Sequence, residues 1–211
     1  MSADELRQSV ADAARRLAEA GLLIGTAGNI SVRSGDQVAV TGTGVRLAAC
    51  TPDDVTLVDR SGAAVDGPAP TSELALHLGV YDDQPLAAAV VHTHAPFATA
   101  IACVLDELPV LHYQQLALGG AIRVAPYATF GTAELAAHVR AALDGRLAAL
   151  LANHGSVAVG GSLDQAVDNA LLLEWLCQLH HRAATLGTPR PLTREQQDDV
   201  VRAAIERNYG A

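Results

Sequence analysis

The sequence predicts an α/β fold: a three-layer α/β/α arrangement around a mixed, mostly antiparallel central sheet, built as one domain over residues 1–211. Three observations predict it. Short strands separated by hairpin turns crowd the first half of the chain. Helices with recognisable caps lie between the later strands without a regular β-α alternation. No GxGxxG follows the first strand, which disfavours a doubly wound dinucleotide fold.

Composition narrows the field. The chain has 211 residues, 50% of them apolar, enough for one good core. A net charge of −9 argues against a nucleic-acid surface. No long apolar run and no leader pattern is read, so neither a membrane span nor a signal peptide is expected. The three cysteines, Cys50, Cys103 and Cys177, are scattered and have no metal spacing, which suits a reducing, cytoplasmic setting. All fourteen basic residues are arginine. A lysine Schiff base and a Walker-type phosphate loop are therefore excluded.

Residues 2–20 read as an amphipathic helix, with Ser2 and Glu5 as a capping box and Gly21 as its stop. The small-residue turn Gly25-Thr26-Ala27-Gly28 runs into a strand from Asn29. A hairpin through Ser34-Gly35-Asp36 leads to a strand at 38–41. Thr41-Gly42-Thr43-Gly44 is a second small-residue turn, and a further hairpin joins 57–59 to 64–65. Pro70-Thr71-Ser72-Glu73 opens a helix ending near Tyr81; Thr71 or Ser72 is expected to cap it, with Glu73 in its first turn. A strand at 87–91 follows, then a helix over 97–104, an extended segment at 110–113 and a strand at 122–124. Thr132 caps a helix to about Leu143. Residues 147–151 form a buried strand, which 157–159 continues after a break. Ser162 and Gln165 box a helix over 163–185 whose apolar ridge reads Val167, Leu171, Leu172, Trp175 and Leu179. Thr193 and Gln196 cap a last helix to about Arg207, before a short tail.

His92-Thr93-His94 carries the clearest chemistry. Side chains alternate along a strand, so both imidazoles face one way and Thr93 the other, and Pro96 then takes the chain out of the ladder. Two imidazoles at a strand end make half of a metal site. His154, at the end of the 147–151 strand and released by Gly155, is the best third ligand. Three histidines without thiolates fit a catalytic zinc site with an open position. The other reading makes them ordinary polar residues at a strand edge. His77, four residues after Glu73, shares its helix face and is either a support to the site or simply hydrogen-bonded. Residues 26–29, 41–44 and 71–72 place hydroxyls and backbone N–H groups in turns, a pattern suited to phosphate. Glu73 beside them is either a helix-terminal charge or an acid/base next to a metal.

Together these segments resemble the class II aldolase/adducin family, most closely its fuculose-phosphate aldolase members. The resemblance rests on residues 25–33, Thr43-Gly44, Thr71-Ser72-Glu73, His92-Thr93-His94, residues 125–132 and Asn153-His154-Gly155, in family order over nearly the whole chain. It implies one Zn²⁺ per subunit on His92, His94 and His154, with Glu73 completing the resting coordination and acting as acid/base. Gly28, Asn29, Thr43, Gly44, Thr71 and Ser72 would hold the phosphate of dihydroxyacetone phosphate. Tyr113 from a neighbouring subunit, and Tyr209 in the tail, would serve the aldehyde. The implied protein is a homotetramer with active sites at subunit interfaces. It would cleave L-fuculose 1-phosphate or a similar ketose 1-phosphate to dihydroxyacetone phosphate and a small aldehyde such as L-lactaldehyde. Zinc would then do the work of a lysine imine, in keeping with the missing lysine. Two departures are visible. Thr71 stands where the family commonly has serine, and Gly42 stands where related aldolases often have proline. The same resemblance admits a methylthioribulose-1-phosphate dehydratase, which keeps the glutamate, or a pentulose-phosphate 4-epimerase, which tends to carry aspartate there. A non-catalytic adducin-like scaffold would lose the metal ligands.

Overall fold

The computed structural model describes residues 2–207, and Tyr209 lies outside them. The chain order is α1 (Ala3–Glu19), β1 (Asn29–Ser34), β2 (Gln37–Thr41), β3 (Val55–Asp59), β4 (Ala64–Asp66), α2 (Leu74–Asp83), β5 (Ala89–Thr93), α3 (Pro96–Ala102), β6 (Glu107–Leu108), β7 (Ile122–Ala125), α4 (Ala133–Ala142), β8 (Ala148–Leu151), β9 (Gly155–Gly160), α5 (Leu163–Leu186) and α6 (Arg194–Glu206). The nine strands form one sheet in the order β4-β3-β2-β1-β5-β9-β8-β7-β6. Among the described residues only β7 and β8 pair parallel, so the mixed, mostly antiparallel reading holds.

Two apolar clusters separate the layers. Val91 and Ala89 of β5 face one side, where Leu6, Val10 and Leu17 of α1, Ile101 of α3, and Ala166, Ala170 and Leu173 of α5 pack. Val90 faces the other side, against Leu76 and Val80 of α2 and Leu135 and Val139 of α4. This alternation puts His92 under the start of α2.

The local sequence accounts for most element ends. Ser2 and Glu5 close the capping box of α1, and Thr193 with Gln196 closes that of α6. Thr132 accepts from the Leu135 N–H at the start of α4. Several details differ from the sequence expectation. Residues 155–160 do not continue β8; they return antiparallel to it, with Leu151 opposite Gly155. Glu73 is itself the N-cap position of α2 rather than part of the first turn, and neither Thr71 nor Ser72 bonds the helix as a cap. Its N–H instead meets the Thr71 hydroxyl at 3.3 Å. At α5 the box is shared out, since Gln165 takes the Gly161 N–H rather than that of Ser162.

The buried face of α5 is also not the expected ridge: Ala166, Ala170, Leu173, Leu176 and Cys177 point inward with Val167, while Trp175 stays 43% exposed. A Cβ on Gly160 would lie 2.5 Å from the Ala166 nitrogen, so helix and sheet touch there through their smallest residues. The extended stretch near 110 gives way to a 3-10 helix at Tyr113–Leu118. Among the described residues no helix is long and apolar enough to cross a membrane.

Candidate active site

β5 is flanked by β1 and β9, and this register builds the site. Asn29 stands opposite His92 on one side and Val157 on the other. His92 is fully buried. Its Nδ1 lies 2.9 Å from the Ser156 carbonyl, which can only accept, so Nδ1 carries the proton. A neutral ring then leaves Nε2 as a bare lone pair. His94 follows just past the strand end, with its Nε2 3.1 Å from that of His92.

His154 comes from the β8–β9 turn. Asn153 there adopts φ 56°, a left-handed conformation that asparagine tolerates better than most residues. Gly155 must be glycine, because a Cβ would sit 2.3 Å from the Thr93 carbonyl oxygen. This close approach brings His154 over the end of β5. The three rings have centroids 4.8–4.9 Å apart, and their ligand nitrogens lie within 4.8 Å of one another.

Glu73 closes the cluster. Its Oε2 accepts from the Asn29 amide at 2.9 Å and lies 3.2 Å from His92 Nε2. Its Oε1 is 3.7 Å from His154 Nε2, buried, and without a hydrogen-bond partner. A bare imidazole lone pair facing a carboxylate oxygen is repulsive. A cation at the common focus turns that repulsion into attraction and gives the orphaned Oε1 a partner. The donor set of three nitrogens and one oxygen fits a divalent metal.

Burial lowers the pKa of His94 to about 4, reinforced by the repulsion a second proton would meet beside His92 or His154, and lowers that of His154 for the same kind of reason. Both rings are thus held neutral and ready to ligate near pH 7. Burial opposes the charge on Glu73, but positive charge at the histidine focus, whether a proton on Nε2 of His92 or a bound cation, and the hydrogen bond from Asn29 outweigh it and hold its pKa far below the usual range.

The phosphate candidates lie around this cluster in two kinds of place. Gly28, at φ 98°, must also lack a side chain, since a Cβ would meet the His92 carbonyl at 2.9 Å. Asn29 is buried and turns its amide to Glu73. The two loops at 41–44 and 69–71 run side by side, tied by Thr43 N–H to the Ala69 carbonyl and Thr71 N–H to the Thr41 carbonyl. Those donors are spent on structure. The N–H groups of Gly44 and Ser72 make no hydrogen bond among the described residues, and Thr43, Gly44 and Ser72 are exposed.

Tyr113 is not part of the cluster in its own chain. It is 47% exposed, beside His112 and near α6. A surface depression of about 880 Å³ is elsewhere too, lined by Asp83, Arg140 and Asp144 among others, with Asp83 and Arg140 paired to each other. Sequence reasoning missed Ser31 and Tyr81. Ser31 Oγ lies 2.7 Å from both His77 Nδ1 and Tyr81 Oη, and His77 Nε2 lies 2.5 Å from Asn29 Oδ1. The spacing Glu73, His77, Tyr81, every fourth residue of one helix, was the available signal.

A carboxylate and three imidazoles thus meet at the end of the central strand β5, a donor set that could hold a metal ion. The chain belongs to the class II aldolase/adducin family: the model of the class II aldolase and adducin N-terminal domain matches residues 8–181. It is 41% identical over 197 residues, 93% of this chain and 89% of the other, to a 5-methylthioribulose-1-phosphate/5-deoxyribulose-1-phosphate aldolase of Rhodospirillum rubrum. It is 37% identical over 202 residues, 95% of this chain and 94% of the other, to the L-fuculose phosphate aldolase of Escherichia coli strain K12. A solved L-fuculose 1-phosphate aldolase superposes with a TM-score of 0.91 at 32% identity, covering 96% of this chain and 97% of its own.

Proposed function

We propose that this chain is a zinc-dependent aldolase that reversibly cleaves a ketose 1-phosphate to dihydroxyacetone phosphate and a small aldehyde. The observation that carries the reading is the meeting of three imidazole nitrogens with one unpartnered, buried carboxylate oxygen beside open hydroxyl-bearing turns. His92, His94 and His154, with Glu73 at rest, would hold the metal. Zinc is the metal of choice for three histidines and an open position without thiolates. When bound, it supplies Lewis-acid stabilisation of the negative charge that develops on the ketose oxygens.

The chain's own residues do the rest. Gly28, Asn29, Thr43, Gly44, Thr71 and Ser72 anchor the phosphate, with the free N–H groups of Gly44 and Ser72 as natural donors. Cleavage breaks the C3–C4 bond and leaves its electron pair on C3, conjugated with the C2 carbonyl. The C4 hydroxyl gives up its proton as the aldehyde forms, and the ionised Glu73 carboxylate is the acceptor that the site supplies. Glu73 delivers a proton to C3, and in synthesis removes it. Tyr113, exposed on its own chain, would serve the site of a neighbouring subunit in a homotetramer, and Tyr209 would serve the aldehyde from the tail.

The two substrate classes named for the relatives share the C1–C3 half and differ only in the aldehyde. The 41% identity favours 5-deoxy and 5-methylthio pentulose phosphates, whose aldehydes have a two-carbon backbone. The 37% identity favours L-fuculose 1-phosphate, which would yield L-lactaldehyde. The test offers all three to the zinc-loaded protein and follows dihydroxyacetone phosphate with and without chelator. Chelator-sensitive release is expected, with relative rates ranking the aldehydes. Dehydration of methylthioribulose 1-phosphate without carbon–carbon cleavage would replace this reading with the dehydratase.

A further inference from the structure

Behind Glu73 runs a buried hydrogen-bond chain that the aldolase reading does not use: Glu73, Asn29, His77, Ser31, Tyr81. We infer that His77, Ser31 and Tyr81 are positioning residues, forming a one-way relay of hydrogen bonds that fixes the Asn29 amide and through it pins Glu73 Oε2, so that Oε1 alone is left for chemistry.

The direction of every bond follows from its end. An ionised carboxylate only accepts, so Asn29 presents Nδ2–H to Oε2 and its Oδ1 faces His77. Oδ1 only accepts, so His77 Nε2 must carry a proton. His77 is fully buried, and burial lowers its pKa to about 3, so the ring is neutral. Its Nδ1 is then a bare acceptor, and the Ser31 hydroxyl must donate to it. That hydroxyl has spent its only proton, so Tyr81 must donate to Ser31 Oγ. Five side chains thus share one arrangement of protons, with every donor aimed toward the carboxylate.

The geometry shows why these residues can meet. Glu73, His77 and Tyr81 are spaced by four along α2, about 6 Å per step. Asn29 and Ser31 are spaced by two along β1, about 6.8 Å per step. A helix stripe and a strand stripe of nearly equal pitch lie face to face, and their polar groups interleave. Arg33, the next residue on that strand face, continues the match: its guanidinium lies 4.9 Å from the centre of the Tyr81 ring and donates to the Tyr81 carbonyl.

The relay has a chemical consequence. If the Nδ1 partner is lost, neutral His77 is free to move its proton to Nδ1. Nε2 then becomes an acceptor, the Asn29 amide must turn over, and its oxygen faces the Glu73 carboxylate. Oε2 is released and the acid/base loses its orientation.

This inference rests on the aldolase reading, so its test needs a readout that does not depend on the aldehyde. The full-length, zinc-loaded protein is given dihydroxyacetone phosphate alone in deuterium oxide, and exchange at the hydroxymethyl carbon is followed by NMR. Long-range ¹H–¹⁵N spectra report the His77 tautomer in the same samples. The wild type is expected to exchange and to show the Nε2–H form. His77→Leu, of similar size and without a donor, should lose about 10- to 100-fold in kcat for exchange with little change in KM. His77→Gln, whose amide can still donate to Asn29, should recover most of it. Ser31→Ala, a smaller disturbance to folding, should lower exchange and shift His77 toward the Nδ1–H form. A wild-type Nδ1–H ring, a His77→Leu variant with wild-type kcat, or a loss confined to KM would overturn the relay alone. A zinc-loaded wild type that exchanges no deuterium overturns the aldolase reading and the relay with it.

Discussion

The two halves of the candidate site are built in opposite ways. The histidine–carboxylate half is buried and over-determined: Ser156 sets the His92 tautomer, Asn29 holds Glu73, and Gly28 and Gly155 are glycine because carbonyls of residues 92 and 93 approach within 2.9 Å of where a Cβ would be. The half proposed for the phosphate is open. Thr43, Gly44 and Ser72 are exposed, and the N–H groups of Gly44 and Ser72 have no partner among the described residues. The difference matches the work asked of each. Charge stabilisation at a reacting centre needs donors held before substrate arrives, whereas a phosphate brings its own charge and orders its partners on binding.

The comparison is tested hardest at the ligands. His154→Ala removes a donor that nothing nearby can replace, and a three-point site becomes a two-point one. Zinc content should fall well below one per chain, and kcat/KM for release of dihydroxyacetone phosphate should drop by roughly 10³-fold. Metal analysis and the coupled assay on one preparation check both. Full activity with unchanged zinc would show that the buried half is not the reacting half.

Gly155→Ala tests the over-determination itself, without touching a ligand. The added methyl would need the space of the Thr93 carbonyl, 2.3 Å away, so β9 must move from β5 at the residue that aims His154. Unfolding in urea should show a loss of about 1–3 kcal/mol, with weakened zinc binding beside it. A variant as stable as the wild type, with zinc intact, would mean that the turn relaxes and the register is looser than the contacts imply.

How far the sequence reached follows the same division. The histidines were legible because strand alternation decides which way a side chain points, and His92-Thr93-His94 declares its own alternation. The sheet class was legible from hairpin turns. Partners set by distant backbone were not. Nothing local to 155–160 says that the strand returns beside β8, because a short apolar run is equally good as a continuation. The face of α5 was misread because close packing of its first turn against Gly160 turns Ala166 inward, and with it Ala170 and Leu173, in place of the more apolar ridge that includes Trp175. Asn29 was read only as a phosphate donor; its amide is engaged by Glu73 and His77, two groups 44 and 48 residues away in sequence. The Glu73–His77 spacing was visible, but the strand stripe that gives it meaning exists only once β1 lies under α2.

The open half yields the smallest and most discriminating expectation. Ser72 is exposed, its hydroxyl takes part in no hydrogen bond among the described residues, and the turn at Gly131 packs against its backbone rather than its side chain oxygen. Ser72→Ala therefore costs the free protein almost nothing, and its melting temperature should match that of the wild type. With a phosphorylated substrate the loss is one hydrogen bond to a charged group, about 1.5–3 kcal/mol, or roughly 10- to 100-fold in KM. The phosphate stays bound throughout the reaction, so that loss falls equally on ground and transition states, and kcat should hold. The same substitution should leave zinc content untouched. Steady-state kinetics on the ketose 1-phosphate that the wild type cleaves, read as separate KM and kcat, decides the point. A fall in kcat at constant KM would place Ser72 with the reacting atoms and erase the division between the two halves.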